Sequence, residues 1–127
     1  MLRNFEIQKE CALFRPTGQV SIGQAIDLVT EAIEFARSLE VRKLLVDITN
    51  LSGFEPPSVV LRYFLAHAWA RAACGSVCIA IVSRPEIIDS EIAAPRKIGS
   101  VIGAEIGLTL DIFTTEEEAR GWLGRVK

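Results

Sequence analysis

Few side chains in this sequence could do chemistry. His67 is the single histidine, and Cys11, Cys74 and Cys78 are the three cysteines. A catalytic base or a zinc site built on His67 would need serine, cysteine or acidic partners in a recognisable pattern, and none surrounds it. His67 beside Arg71 reads as a solvent-edge helix residue. Cys74 and Cys78 have three residues between them, one more than a C-x-x-C redox motif allows. Cys78 also falls in an apolar run, where a thiol packs as a small hydrophobe. The glycines form no P-loop and no G-x-G-x-x-G after a strand. Neither a metal nor a cofactor is expected.

The polar residues that remain lie in the loops. In open α/β sheets ligands bind beyond the carboxyl ends of the strands. That rim would carry Thr49, Asn50, Phe54 and Glu55 from one loop, Arg84, Glu86 and Asp89 from the next, and Thr114 from the last. Phe54, Glu55, Arg84, Glu86 and Asp89 could recognise a partner. An enzyme would have to use Glu55, Glu86 or Asp89 as its acid–base groups. The set carries both signs of charge and no phosphate cradle, and ordinary surface loops outweigh an active site.

The elements that must hold these loops follow from pattern. Residues 5–8, 12–15 and 19–22 are short strand-like stretches, with Pro16, Thr17 and Gly18 as a turn. Ser21 and Gln24 form a capping box opening a helix to about residue 39, whose apolar side repeats at Ile26, Val29, Ile33 and Ala36. The run 43–48 (KLLVDI) reads as a strand buried on both faces. Residues 50–57 are irregular, and a helix runs from 57 to about 73. The most continuously apolar strand is 77–82 (VCIAIV). A helix over 95–106, a strand over 108–113 and a helix capped by Thr114, Thr115 and three glutamates complete the chain. Alternation of this kind after an initial β segment predicts one α/β domain over 1–127, with a mostly parallel sheet covered on both sides.

Composition agrees. The chain has 127 residues, of which 50% are hydrophobic and 24% charged, so it can bury a core and is not a disordered tail. A formal charge of -2 leaves no electrostatic footprint for nucleic acid. The longest nearly uncharged run, 72–83, is too short to span a bilayer. No secretory leader is evident at the N-terminus, which with the odd cysteine count suggests a cytoplasmic protein with reduced thiols.

The helix over 57–73 is unusual. A wheel puts Leu61, Phe64, Leu65, Ala68 and Ala72 on one apolar face, assigned here to the sheet. The opposite side, Val59, Tyr63, Ala66, Ala70 and Ala73, is apolar too, with Ser58, Arg62, His67 and Arg71 on the flanks. Such a helix either lies deep in the monomer or meets another protein, most simply a second copy. Val59, Arg62, Tyr63, Ala66 and Ala70 are the expected dimer or partner contacts.

The order of features also resembles the anti-sigma factor antagonist-like proteins, small bacterial proteins of the STAS/SEC14-like fold. The resemblance rests on Leu45-Val46-Asp47, on the apolar strand and helices between, and on the closing run from Phe113 through the threonine cap to Ala119, Trp122 and Leu123, and it covers nearly the whole chain. It implies a mixed, mostly parallel sheet of four to five strands with helices on its faces, used as a regulatory or protein-binding module without catalytic activity. In true antagonists a serine in an Asp-Ser-Ser-Gly pattern is phosphorylated. Here the comparable stretch is Glu55-Pro56-Pro57-Ser58, so only Ser58 occupies that place. The SEC14-like branch implies an alternative, a carrier or sensor of a small apolar or amphipathic ligand.

Overall fold

The structure is a computed structural model describing residues 3–9, 11–54, 59–84 and 109–125. Strands β1 (Phe5–Ile7), β2 (Ala12–Phe14), β4 (Lys43–Asp47), β6 (Cys78–Val82) and β7 (Thr109–Phe113) form a five-stranded sheet in the order β1-β2-β4-β6-β7. β1 pairs antiparallel with β2, and every later pairing is parallel. This is a mixed α/β sheet, mostly parallel as the alternation predicts. Strands β3 (Gly18–Gln19) and β5 (Leu51–Ser52) make a separate two-stranded parallel pair. β5 lies within the stretch read as irregular. It is too short to show alternation, and it forms because Gly53 lets the chain turn closely against β3. Gly53 has φ +94°, and a Cβ there would come within 2.7 Å of the Gln19 side chain and 2.9 Å of the Val20 carbonyl oxygen.

Helix α1 (Ile22–Ser38) begins with the expected capping box, in which the Gln24 amide donates to Ser21 Oγ and the Ser21 amide to Gln24 Oε1. It ends in a Schellman turn: Glu40, at φ +60°, donates its amide to the Arg37 carbonyl, and Val41 donates to that of Ala36. Helix α2 spans Val59–Ala73 and α3 spans Glu116–Arg125. Thr115 caps α3 by accepting from the Glu118 amide. The helix expected over 95–106 lies outside the described residues.

Two layers of apolar side chains flank the sheet. On one side Phe14, Leu44, Val46, Ile79 and Ile81 pack against α1 and α2 through Val29, Ile33, Ala36 and Trp69. On the other, Leu13, Leu45, Ala80, Val82 and Phe113 pack against Ala119, Trp122 and Leu123 of α3. Alternation along β2 and β4 assigns neighbours to opposite layers, which is why Leu44 and Leu45 are both fully buried. α1 and α2 lie side by side, joined where the Trp69 indole donates to Thr30 Oγ1 at 3.1 Å and where Arg37 donates to Cys74 Sγ at 2.8 Å. No helix among the described residues is long and apolar enough to cross a membrane.

Candidate functional site

The carboxyl ends of the parallel strands bring Arg15, Asp47, Ser83 and Arg84 to one rim. The register decides this: Phe14 lies beside Val46 and Asp47 beside Val82, so the next residues of β2 and β6 emerge together. Arg15 and Asp47 fall on the α3 side of the sheet. Asp47 is only 7% exposed, and both of its carboxylate oxygens are engaged. Arg15 Nε donates to Oδ2 at 3.1 Å, while the Thr49 amide and hydroxyl donate to Oδ1 at 3.0 and 2.6 Å.

Glu116, in the first turn of α3, extends the network. One of its oxygens accepts from Arg15 Nη2 and the other from Arg120 Nε, the latter at 2.7 Å. Arg120 Nη2 in turn donates to Gln8 Oε1 at 2.7 Å, and its Nη1 lies 3.8 Å from Cys11 Sγ. A ladder of alternating charge thus runs from the β1–β2 turn over α3 to the end of β4. A general base needs a free lone pair directed at open space. Asp47 has its oxygens committed to Arg15 and Thr49, so its arrangement is that of a strut that closes the strand ends.

The residues expected on the rim are only partly brought into this network. Arg84 is half-buried at the end of β6, and Phe54 is half-buried just after β5. Glu55, Ser58, Glu86 and Asp89 lie outside the described residues. Thr49 does join the rim, through Asp47. Arg15, Asp47, Glu116 and Arg120 were not singled out by sequence reasoning. The available signal was the acid that interrupts LLVDI: a carboxylate at the end of an otherwise apolar strand requires a cation or donors nearby.

Helix α2 requires a correction. Its inward face is centred on Trp69, with Leu65, Ala72 and Ala73 in the same cluster, and Ala66 is 5% exposed. Ala66 therefore belongs to the core of the monomer and is not an outward contact, and Ala70 is half-buried against the same core. The wheel was rotated because Trp69 was given to neither face, although the largest side chain of the helix fixes which way the helix turns. Phe64, assigned to the sheet side, is instead 64% exposed, and Val60 is 66% exposed. The outer side of α2 carries Val60, Phe64 and the exposed Arg71. For Val59, Arg62 and Tyr63, only their place in the α2 backbone is described.

The three cysteines are thiols outside any disulfide: Cys11 is buried, Cys78 half-buried and Cys74 exposed. At the amino ends of the strands a cleft of about 330 Å³ is lined by Cys11, Lys43, Arg120, Leu123 and Gly124. Among the described residues, no group of three or more His, Cys, Asp or Glu side chains is placed to hold a metal ion. No protein-family model matches the chain, and no curated protein matches it either.

Proposed function

We propose that this chain is a non-enzymatic regulatory or protein-interaction module of the STAS-like type, and that it associates with a second copy of itself through α2. One observation carries the reading: Val60 and Phe64, one turn apart, are 66% and 64% exposed on the outer side of a helix that has no acidic residue. Large apolar side chains grouped on a surface mark contact sites more often than isolated ones do. The five-stranded, mostly parallel sheet supports the resemblance to the anti-sigma factor antagonist-like proteins, since that is the architecture the resemblance implies. The cleft beside Cys11 is lined by Lys43 and by Arg120, itself bound to Glu116 and Gln8, and such a polar lining does not suit the apolar cargo of a SEC14-like carrier.

Replacing Phe64 by Asp tests the proposal. Phe64 is mostly exposed, so the variant should keep the wild-type circular dichroism. Wild type should sediment as a reversible dimer at micromolar to sub-millimolar concentration, and Phe64→Asp as a monomer. A wild type that stays monomeric over that range, or a variant as dimeric as wild type, would refute the reading.

A further inference from the structure

The layer formed by α1 and α2 presents two unlike stripes to solvent. On α1, Asp27, Glu31 and Glu34 are all exposed. Among the described side chains of α2, Val60, Phe64 and Arg71 are exposed. We infer that these stripes are complementary halves of one self-association surface: α1 of each copy covers α2 of the other about a two-fold axis parallel to the helices. The inference rests on the dimeric reading above and specifies its geometry.

Direction and register are set by contacts within the monomer. Trp69 meets Thr30, and Cys74 meets Arg37, so the two helices run parallel. The paired numbers differ by 39 at the first contact and by 37 at the second (69 − 30 and 74 − 37). A residue of α1 is therefore level with the α2 residue 37 to 39 positions later. Glu34 is level with Arg71, and Asp27 stands at the height of Phe64. Val60 is level with Gly23, whose missing side chain leaves open space beyond Ser21 Oγ.

Face-to-face packing of two such layers allows two in-plane axes. An axis perpendicular to the helices would stack α1 on α1 and α2 on α2. That brings the acidic stripe of one copy onto that of the other and leaves Arg71 opposite a helix with no carboxylate. An axis parallel to the helices keeps every residue at its own height and carries α1 over the partner's α2. Glu34 then meets the Arg71 of its partner, twice by symmetry, and Val60 lies over Gly23, where no side chain intervenes. The pairing of Glu34 with Arg71 selects this axis.

Size sets the expected strength. α1 has 17 residues and α2 has 15. At about 1.5 Å rise per residue and about 10 Å width per helix, the layer offers roughly 500 Å² per copy. A total of about 1,000 Å² lies at the lower limit of specific interfaces, so the dimer should dissociate readily on dilution.

The test is a charge-reversal cycle on the full chain: Glu34→Lys, Arg71→Glu and the double variant, measured by sedimentation equilibrium at low salt. Each single reversal should weaken dimerisation roughly 10-fold, because each is present twice in the dimer. The double variant should return to within about threefold of wild type. Both sites are exposed, so unchanged circular dichroism will show that folding is intact. A dimer that Phe64→Asp disrupts but the reversals leave unaltered, or that the double variant weakens further, would overturn the α1-on-α2 geometry while leaving the dimeric reading in place. A wild type that is monomeric throughout would overturn both.

Discussion

Replacing Asp47 by Ala should cost the fold about 2 kcal/mol, and the figure follows from what its carboxylate holds. Asp47 is 7% exposed and accepts from Arg15 Nε, from the Thr49 amide and from the Thr49 hydroxyl. Leaving a donor without its charged acceptor costs about 1.5–3 kcal/mol when water cannot replace it. The Arg15 side chain, however, is 42% exposed and keeps Glu116, so screening reduces its share to a few tenths of a kcal/mol. The half-buried Thr49 amide therefore accounts for most of the loss. Near the melting temperature, an unfolding entropy of about 2.1 cal/mol/K per residue over this length converts 2 kcal/mol into a decrease of about 7 °C. Asp47→Asn keeps an oxygen for Thr49 and should lose only about 1 kcal/mol, while Thr49→Val should lose no more than that. Urea unfolding monitored by circular dichroism separates the three variants. If Asp47→Ala melts within a degree or two of wild type, or no lower than Thr49→Val, Asp47 is not the strut the geometry describes.

Three further substitutions have outcomes that the backbone and the core decide. Gly53→Ala should lower stability by more than about 1 kcal/mol, because φ is +94° and the new methyl meets the Val20 carbonyl at 2.9 Å; chemical denaturation reads the loss. Glu40→Gly should raise stability by about 1 kcal/mol in the same assay, since a left-handed residue in a Schellman turn carries a penalty that glycine avoids. Ala66→Asp should leave the chain largely unfolded in water, because the position is only 5% exposed, and its far-ultraviolet circular dichroism should show the loss.

The parts of this molecule that were legible in its sequence are those where one strong local signal acts alone. Ser21 and Gln24 marked the start of α1 because a capping box needs only four residues. The runs KLLVD and CIAIV identified β4 and β6 because a strand covered on both faces must be apolar throughout. Legibility ended where tertiary contacts decide. β5 is two residues long and exists only because β3 approaches it. In α2, apolar residues surround most of the helix, so periodicity does not set its rotation; the Trp69 indole reaching Thr30 does. The Arg15–Asp47–Glu116 cluster joins three segments spread over 101 positions, and no local pattern announces such a meeting.

The two sides of the sheet meet the need for cover in different ways, and this bears on where a partner can act. Two helices of 17 and 15 residues shield one side, whereas among the described residues the other has α3, with 10. A helix of that length spans about 15 Å. Polar side chains line its border: Gln8, Arg120, Glu116, Arg15 and Asp47 bind one another in sequence. Groups committed to each other in this way gain little from a new partner, because any contact must first separate an existing ion pair. The α1–α2 layer is built the other way round. Its polar bond to Thr30 lies in the seam between the helices, while Phe64, Arg71 and the acidic stripe point outward. Association on that side would release water from apolar surface and join charges that the monomer holds apart, so the proposed second copy would gain more there than at the α3 ladder.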